Sequence, residues 1–126
     1  MTSVPRTFEF QDSEVGAVSV EGSLLRVRLS AAQVHEQGIV GYLAGVVLEL
    51  GDARWQGELA ECVGALAEGS LHVNGRRCHP APLPFAHEGE ARLHLHFKSG
   101  ASLSALAQQV RIHQLPGAGF TESMAC

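Results

Sequence analysis

Most of the features that announce a function in sequence are missing from this chain. No stretch approaches the ~18 consecutive apolar residues of a helical membrane span; the longest, "GYLAGVVLELG" from Gly41, is closed early by Glu49. The opening "MTSVPRTFEF" holds no apolar run of the signal-peptide kind. Charge is thin, at 17% Asp, Glu, Lys and Arg against a usual ~25%. The nine Lys and Arg are scattered, with Arg76–Arg77 the only adjacent pair, and the formal net charge is −4. Phosphate backbones need a concentrated basic field, so nucleic acid is not expected as a partner. The seven aromatics include no evident pair beside basic residues on which bases could stack. Three cysteines, Cys62, Cys78 and Cys126, are an odd number without a CxxC, which excludes a disulfide framework and a zinc finger. A cytoplasmic protein with free thiols, outside any membrane, is the expectation.

Catalytic signatures are equally sparse. There is no G-x-S-x-G elbow, and the glycines are spread through turns rather than gathered into a phosphate loop. Cys62 lies in the apolar "ELAECVGAL", where burial raises a thiol's pKa and makes it inert. Cys78, between Arg77 and His79, has the electropositive neighbours a reactive thiol wants, but no orienting acid accompanies it. The carboxylate pairs Glu58/Glu61 and Glu88/Glu90 fall in turns, where solvation explains them.

What is present is a globular composition written at period two. Apolar residues make up 45% of 126 residues, enough for one domain that buries roughly two-thirds of the surface of its unfolded chain. In "LLRVRLS", Leu25, Val27 and Leu29 face one way and Arg26 and Arg28 the other, the mark of a half-buried strand. "TFEF" and "EVGAVSV" read as two more strands, the second turning into Leu24 through Glu21-Gly22-Ser23. "SAAQVHEQG" breaks the alternation and reads as one or two helical turns, capped by Ser30 and ended by Gly38. The segment 39–48 is apolar on both faces, as in a strand covered on both sides or lying at a subunit contact.

Further on, Asn74-Gly75 is a strong hairpin signal. "CHPAPLPFAHEGE", with its prolines, reads as a loop. "ARLHLHF", the turn Lys98-Ser99-Gly100 and "ASLSALAQQVRIH" complete the pattern. The last reads as a strand with a bulge near Leu106, with a helix over 102–110 as its competitor. The expectation is a single mainly β domain over 1–126: a small antiparallel β-sandwich or barrel of about eight or nine strands, with at most one or two short helices. Residues 115–126 are expected to form a loose tail.

Alternation also addresses the histidines. With Leu93, Leu95 and Phe97 inward, His94 and His96 share the outer face with Arg92 and Lys98. The H-x-H pair resembles the first motif of the cupin family, a double-sheet jelly roll, and that resemblance implies a metal held by His94 and His96. The sequence departs from the motif: Gly89 lies five rather than six residues before His94, and 97–102 read "FKSGAS", with no acid. The family's second motif is missing as well. Further ligands would come from His72, His79 or His87. Wetted side chains on a strand face are the simpler reading, and no cofactor is expected.

Three functions follow, from different classes. The first is a non-enzymatic binding module that works through protein–protein contacts or self-association. Tyr42, Val46, Trp55 and Arg92 are its candidate contact residues, since aromatic and Arg side chains dominate interface energies. The second is a β-barrel enclosing a small apolar ligand, with room left by Gly41, Ala44 and Gly45. The third is a His-based metal protein or metalloenzyme of jelly-roll type, using His94, His96 and one of His72, His79 or His87.

Overall fold

The structure is a computed structural model that describes residues 6–117 and 120–122. Among these, eleven strands and a single 3-10 turn, Leu59–Glu61, make up the regular structure, and no α-helix occurs. The strands are β1 (Arg6–Glu21), β2 (Leu24–Glu36), β3 (Ile39–Leu43), β4 (Val46–Gly51), β5 (Arg54–Gln56) and β6 (Gly64–Val73). They continue with β7 (Arg76–Arg77), β8 (Ala81–Pro82), β9 (Phe85–Phe97), β10 (Ser102–Gln114) and β11 (Phe120–Glu122). All pairings are antiparallel, and β1, β2, β4, β10, β9 and β6 pair in turn, with β6 returning to β1. The mainly β expectation holds as a closed six-stranded barrel with short strands added outside the ring.

The first thirty residues hold two strands rather than the expected three, because β1 runs unbroken through a bulge. Asp12 takes a positive φ of 61°, and Ser13 turns inward until it is 1% exposed. Its hydroxyl donates to the Glu9 carbonyl at 2.7 Å and accepts from the Gln33 N–H at 2.9 Å. One side chain thus supplies partners to backbone groups that the bulge takes out of the ladder.

The expected helical turn over 30–38 is instead the second half of β2. Ala32 and Val34 stay on the inward side, both 0% exposed, and the chain reverses at Gln37–Gly38, where φ is 51° and 80°. Burial of a period-two pair on an existing sheet outweighs the local preference of a short polar segment. Ser30 caps nothing; its hydroxyl lies 2.7 Å from Glu14 Oε1 on the neighbouring strand.

The two-sided apolar segment behaves as one strand in its pairing. The ladder against β2 keeps one register from Ile39↔Glu36 through Val46↔Leu29 to Leu50↔Leu25. It is interrupted only at Ala44–Gly45, where Gly45 has φ 79°. Val46 and Leu48 are 0% and Val47 5% exposed, so both faces are covered within the one chain.

The proline loop is shorter than expected. It contains β8, which lies against Thr7–Phe8, and β9 begins at Phe85 directly after it. Asn74 and Gly75 form the expected turn, with φ of 49° and 77°. Residues 102–114 are strand and not helix, with a one-residue slip between Ala107 and Gln109 against β9. That slip lies close to the expected bulge. Of the expected loose tail, Phe120–Glu122 pairs with β3; 118–119 and 123–126 lie outside the described residues.

Phe8, Phe10 and the inward-facing leucines of β2, β4, β6, β9 and β10 form one continuous buried core, while Leu24 and Leu106 on the other face of β2 and β10 are half-buried. The small residues expected to leave an interior pocket sit elsewhere. Gly41 is on β3 and Ala44–Gly45 at the break after it, outside the six-stranded ring.

Candidate functional site

The outer face of β6, β9, β10 and β5 collects most of the polar side chains singled out from the sequence. Leu71, Leu93, Leu95, Leu103 and Ala105 face the core, and the pleat turns their neighbours outward. Cross-strand register then sets those neighbours in rows. Ser70, His94, Ser104 and Gln56 lie side by side, and the next row is His72, Arg92, Leu106 and Arg54. Together they floor an open groove of about 590 Å³, with Trp55 at its β5 side.

Among the described residues no carboxylate lines this groove, although the chain as a whole is acidic. Arg54, Arg92, His72 and His94 give it a basic floor. Glu90 stands at its margin, 3.3 Å from Arg92 Nε, with both side chains exposed; such a pair holds Arg92 only weakly. Trp55 is half-buried, packing on the core from one side while lining the groove on the other.

The histidine pair lies at the edge of the same face. His94 and His96 turn their rings toward one another, centroids 4.4 Å apart and Nε2 atoms separated by 2.7 Å. Ser104, delivered from β10 directly opposite His94, sets its Oγ 2.6 Å from His94 Nδ1. Glu68 Oε1 is 3.9 Å from His96 Nε2. The rings therefore do more than project into water: each is held by a neighbour.

The remaining candidates scatter. Val46 is fully buried and cannot meet a partner; its β-branched side chain fills the core. Tyr42 is half-buried on β3, between Gln33 and Thr121 of the adjoining strands. His79 lies against the rings of Phe10 and His72, at 6.0 Å and 6.3 Å, and accepts from Arg77 at 3.3 Å. Burial, and then the Arg77 charge, lowers its pKa below the ordinary 6.5, so the neutral ring is favoured. His87 lines a separate hollow beside Glu49 and Arg111, where its Nε2 has no hydrogen-bond partner among the described residues. Among the described residues no three His, Cys, Asp or Glu converge as metal ligands. His94 and His96 are thus not joined by His72, His79 or His87.

Cys78 is half-buried, and that burial raises its thiol pKa; the positive residue adjacent in sequence does not outweigh it. Ser104 and Arg54 were missed by the sequence reading. Period two placed Ser104 outward once 102–110 was taken as strand, but only the β9–β10 register sets it opposite His94. Comparison with protein-family models, with curated proteins and with solved structures finds no match for this chain.

Proposed function

We propose that this protein is a binding module that docks an acidic segment of a protein partner on the outer face of β6, β9, β10 and β5. The observation that carries this reading is the carboxylate-free groove floored by Arg54, Arg92, His72 and His94, with Trp55 beside them, on a chain whose net charge is −4. A local basic patch on an acidic protein steers acidic ligands to one place and repels them elsewhere. Arg54 and Arg92 are separated by the single strand β10, which sets their backbones about 10 Å apart. That spacing suits two carboxylates on one extended segment. Arg can take each carboxylate bidentately, and Trp55 adds an amphipathic wall of the kind that dominates interface energies.

Self-association, the other form of contact expected from the sequence, loses its main support. The apolar faces of Val46, Val47 and Leu48 that seemed to call for a second copy are covered by the chain itself.

Trp55 is the only tryptophan and reports directly on the groove. Titration with a Glu/Asp-rich peptide should give a saturable change in its emission, weakening as salt is raised. Arg54→Glu combined with Arg92→Glu should abolish the response. An unchanged emission in wild type, or equal binding by the charge-reversed variant, would overturn the reading.

A further inference from the structure

Ser104, His94, His96 and Glu68 form a line of contacts across the outer face, from β10 over β9 to β6. Ser104 Oγ is 2.6 Å from His94 Nδ1, His94 Nε2 is 2.7 Å from His96 Nε2, and Glu68 Oε1 is 3.9 Å from His96 Nε2. The contact between the rings is an N–H···N hydrogen bond, so one imidazole orients the other. The geometry points to a Ser–His–His relay that cleaves carboxylic esters through an acyl intermediate on Ser104. This goes beyond the docking reading, because the contacts stand whether or not the groove takes an acidic segment.

Nucleophile, base and orienting group are all within hydrogen-bond reach, which is the arrangement that activates a serine. Ser104 and His94 both line the groove of about 590 Å³, where a substrate has access to them. They meet without a loop between them. Leu93, Leu95 and Leu103 are buried on the opposite face and hold β9 and β10 in the register that sets Ser104 beside His94. Gln56 faces Ser104 directly across the β5–β10 ladder, and Arg54 lies one row on. Both carry N–H donors for an oxyanion.

In the resting relay the Ser104 hydroxyl donates to His94 Nδ1, and His94 Nε2–H donates to His96 Nε2. Ser104 Oγ attacks the ester carbonyl carbon as its proton passes to His94 Nδ1, giving a tetrahedral oxyanion and an imidazolium. His94 Nδ1–H then protonates the alcohol oxygen as the carbon–oxygen bond breaks, so the alcohol leaves and the acyl group stays on Ser104. Water attacks that acyl carbon and gives its proton to His94 Nδ1. Collapse of the second intermediate returns the proton to Ser104 Oγ and releases the acid. His96 touches none of the reacting atoms and is a positioning residue. Its lone pair holds the tautomer that leaves His94 Nδ1 free, and supports the imidazolium once it forms. Glu68 adds a weak, solvent-screened attraction from beyond.

The test is reaction of the full chain with 4-nitrophenyl acetate, accessible thiols having been blocked beforehand, with acid quenching and peptide mapping. One acetyl group should be found on Ser104, and release of 4-nitrophenolate should depend on that residue. Ser104→Ala should lose the adduct, and His94→Ala should slow acylation at least about a hundredfold. His96→Ala should slow it about tenfold, while His96→Gln, whose side-chain carbonyl accepts the same hydrogen bond, should recover most of the rate. Gln56→Ala should cost about tenfold. An unchanged far-ultraviolet circular dichroism spectrum confirms that each variant is folded. No acetyl group on Ser104, release undiminished in Ser104→Ala, or equal acylation in His94→Ala would overturn the proposal. A His96→Gln variant as slow as His96→Ala would remove His96 from the relay.

Discussion

Phe10 closes directly over Gly69. A β-carbon built at Gly69 would stand 2.8 Å from Phe10 Cβ and Cγ and 3.0 Å from Leu95 Cδ2. Gly69 is a strand residue, paired with Leu95 on β9, so its value lies in the space it leaves for the ring. Gly69→Ala should therefore destabilise the fold by about 2 kcal/mol through overpacking, despite alanine's better backbone entropy. Urea unfolding measures it; a neutral or stabilising result would show that the barrel wall yields here.

The β2–β3 turn offers the opposite sign. Gln37 holds a φ of 51° beside Gly38 at 80°, a two-residue turn in which both positions prefer Gly, Asn or Asp. Gln37→Gly should stabilise the protein by about 1 kcal/mol by relieving the left-handed conformation, and Gln37→Asn by about half of that. A lower Tm for both variants would mean that the Gln37 side chain has a compensating role.

Glu49 joins three strands. Its carboxylate takes Arg26 Nε at 2.8 Å from β2 and meets His113 Nε2 at 3.0 Å from β10. The Arg26 hydrogen bond, helped by His113, holds the Glu49 carboxyl below its ordinary value of 4.5. A lowered carboxyl favours the folded state at every pH above the unfolded value, and that advantage disappears as acid carries the pH down through the folded one. Wild type should thus lose stability relative to Glu49→Gln below about pH 4.5, while at neutral pH Glu49→Gln should lower the Tm by about 2–4 °C. Parallel pH–stability curves for the two proteins would contradict this.

Cys62 should be silent to reagents. It is 0% exposed, its thiol donates to the Glu58 carbonyl at 3.3 Å, and burial, with Glu61 and Glu58 nearby, pushes its pKa up. Mass-spectrometric mapping after alkylation at pH 8 should find Cys62 unmodified in the native protein and modified only in denaturant. Labelling of Cys62 at a rate close to that of a free thiol would show that the Leu59–Glu61 turn opens readily.

Period-two alternation alone was enough to read strands at Leu24–Leu29 and Arg92–Phe97, because each side chain's face follows from its parity along a pleated chain. Asn74-Gly75 was legible for a similar reason: few other pairs tolerate positive φ twice in succession. The outward placement of His94 and His96 belongs to the same class of inference. Parity failed where a local preference competed with a distant partner. "SAAQVHEQG" carries good cap residues at both ends, yet Ala32 and Val34 gain more by joining a sheet whose other strands lie elsewhere in the chain. Val46 looked available for a partner because its own strand is apolar on both sides, and nothing local says that its side chain turns into the barrel core.

The sequence by itself determined the class of structure, the inward and outward sides of its strands, and the scarcity of conventional catalytic machinery, since each depends on residues within a few positions of one another. Tertiary structure alone decided that Arg54 and Arg92 would share a floor with His72, and that Ser104 would meet His94 across two strands. Those meetings depend on the register of one strand against the next. Register is fixed by the burial of the whole inward face and by the turns and bulges that join the strands, and no short stretch of sequence contains it.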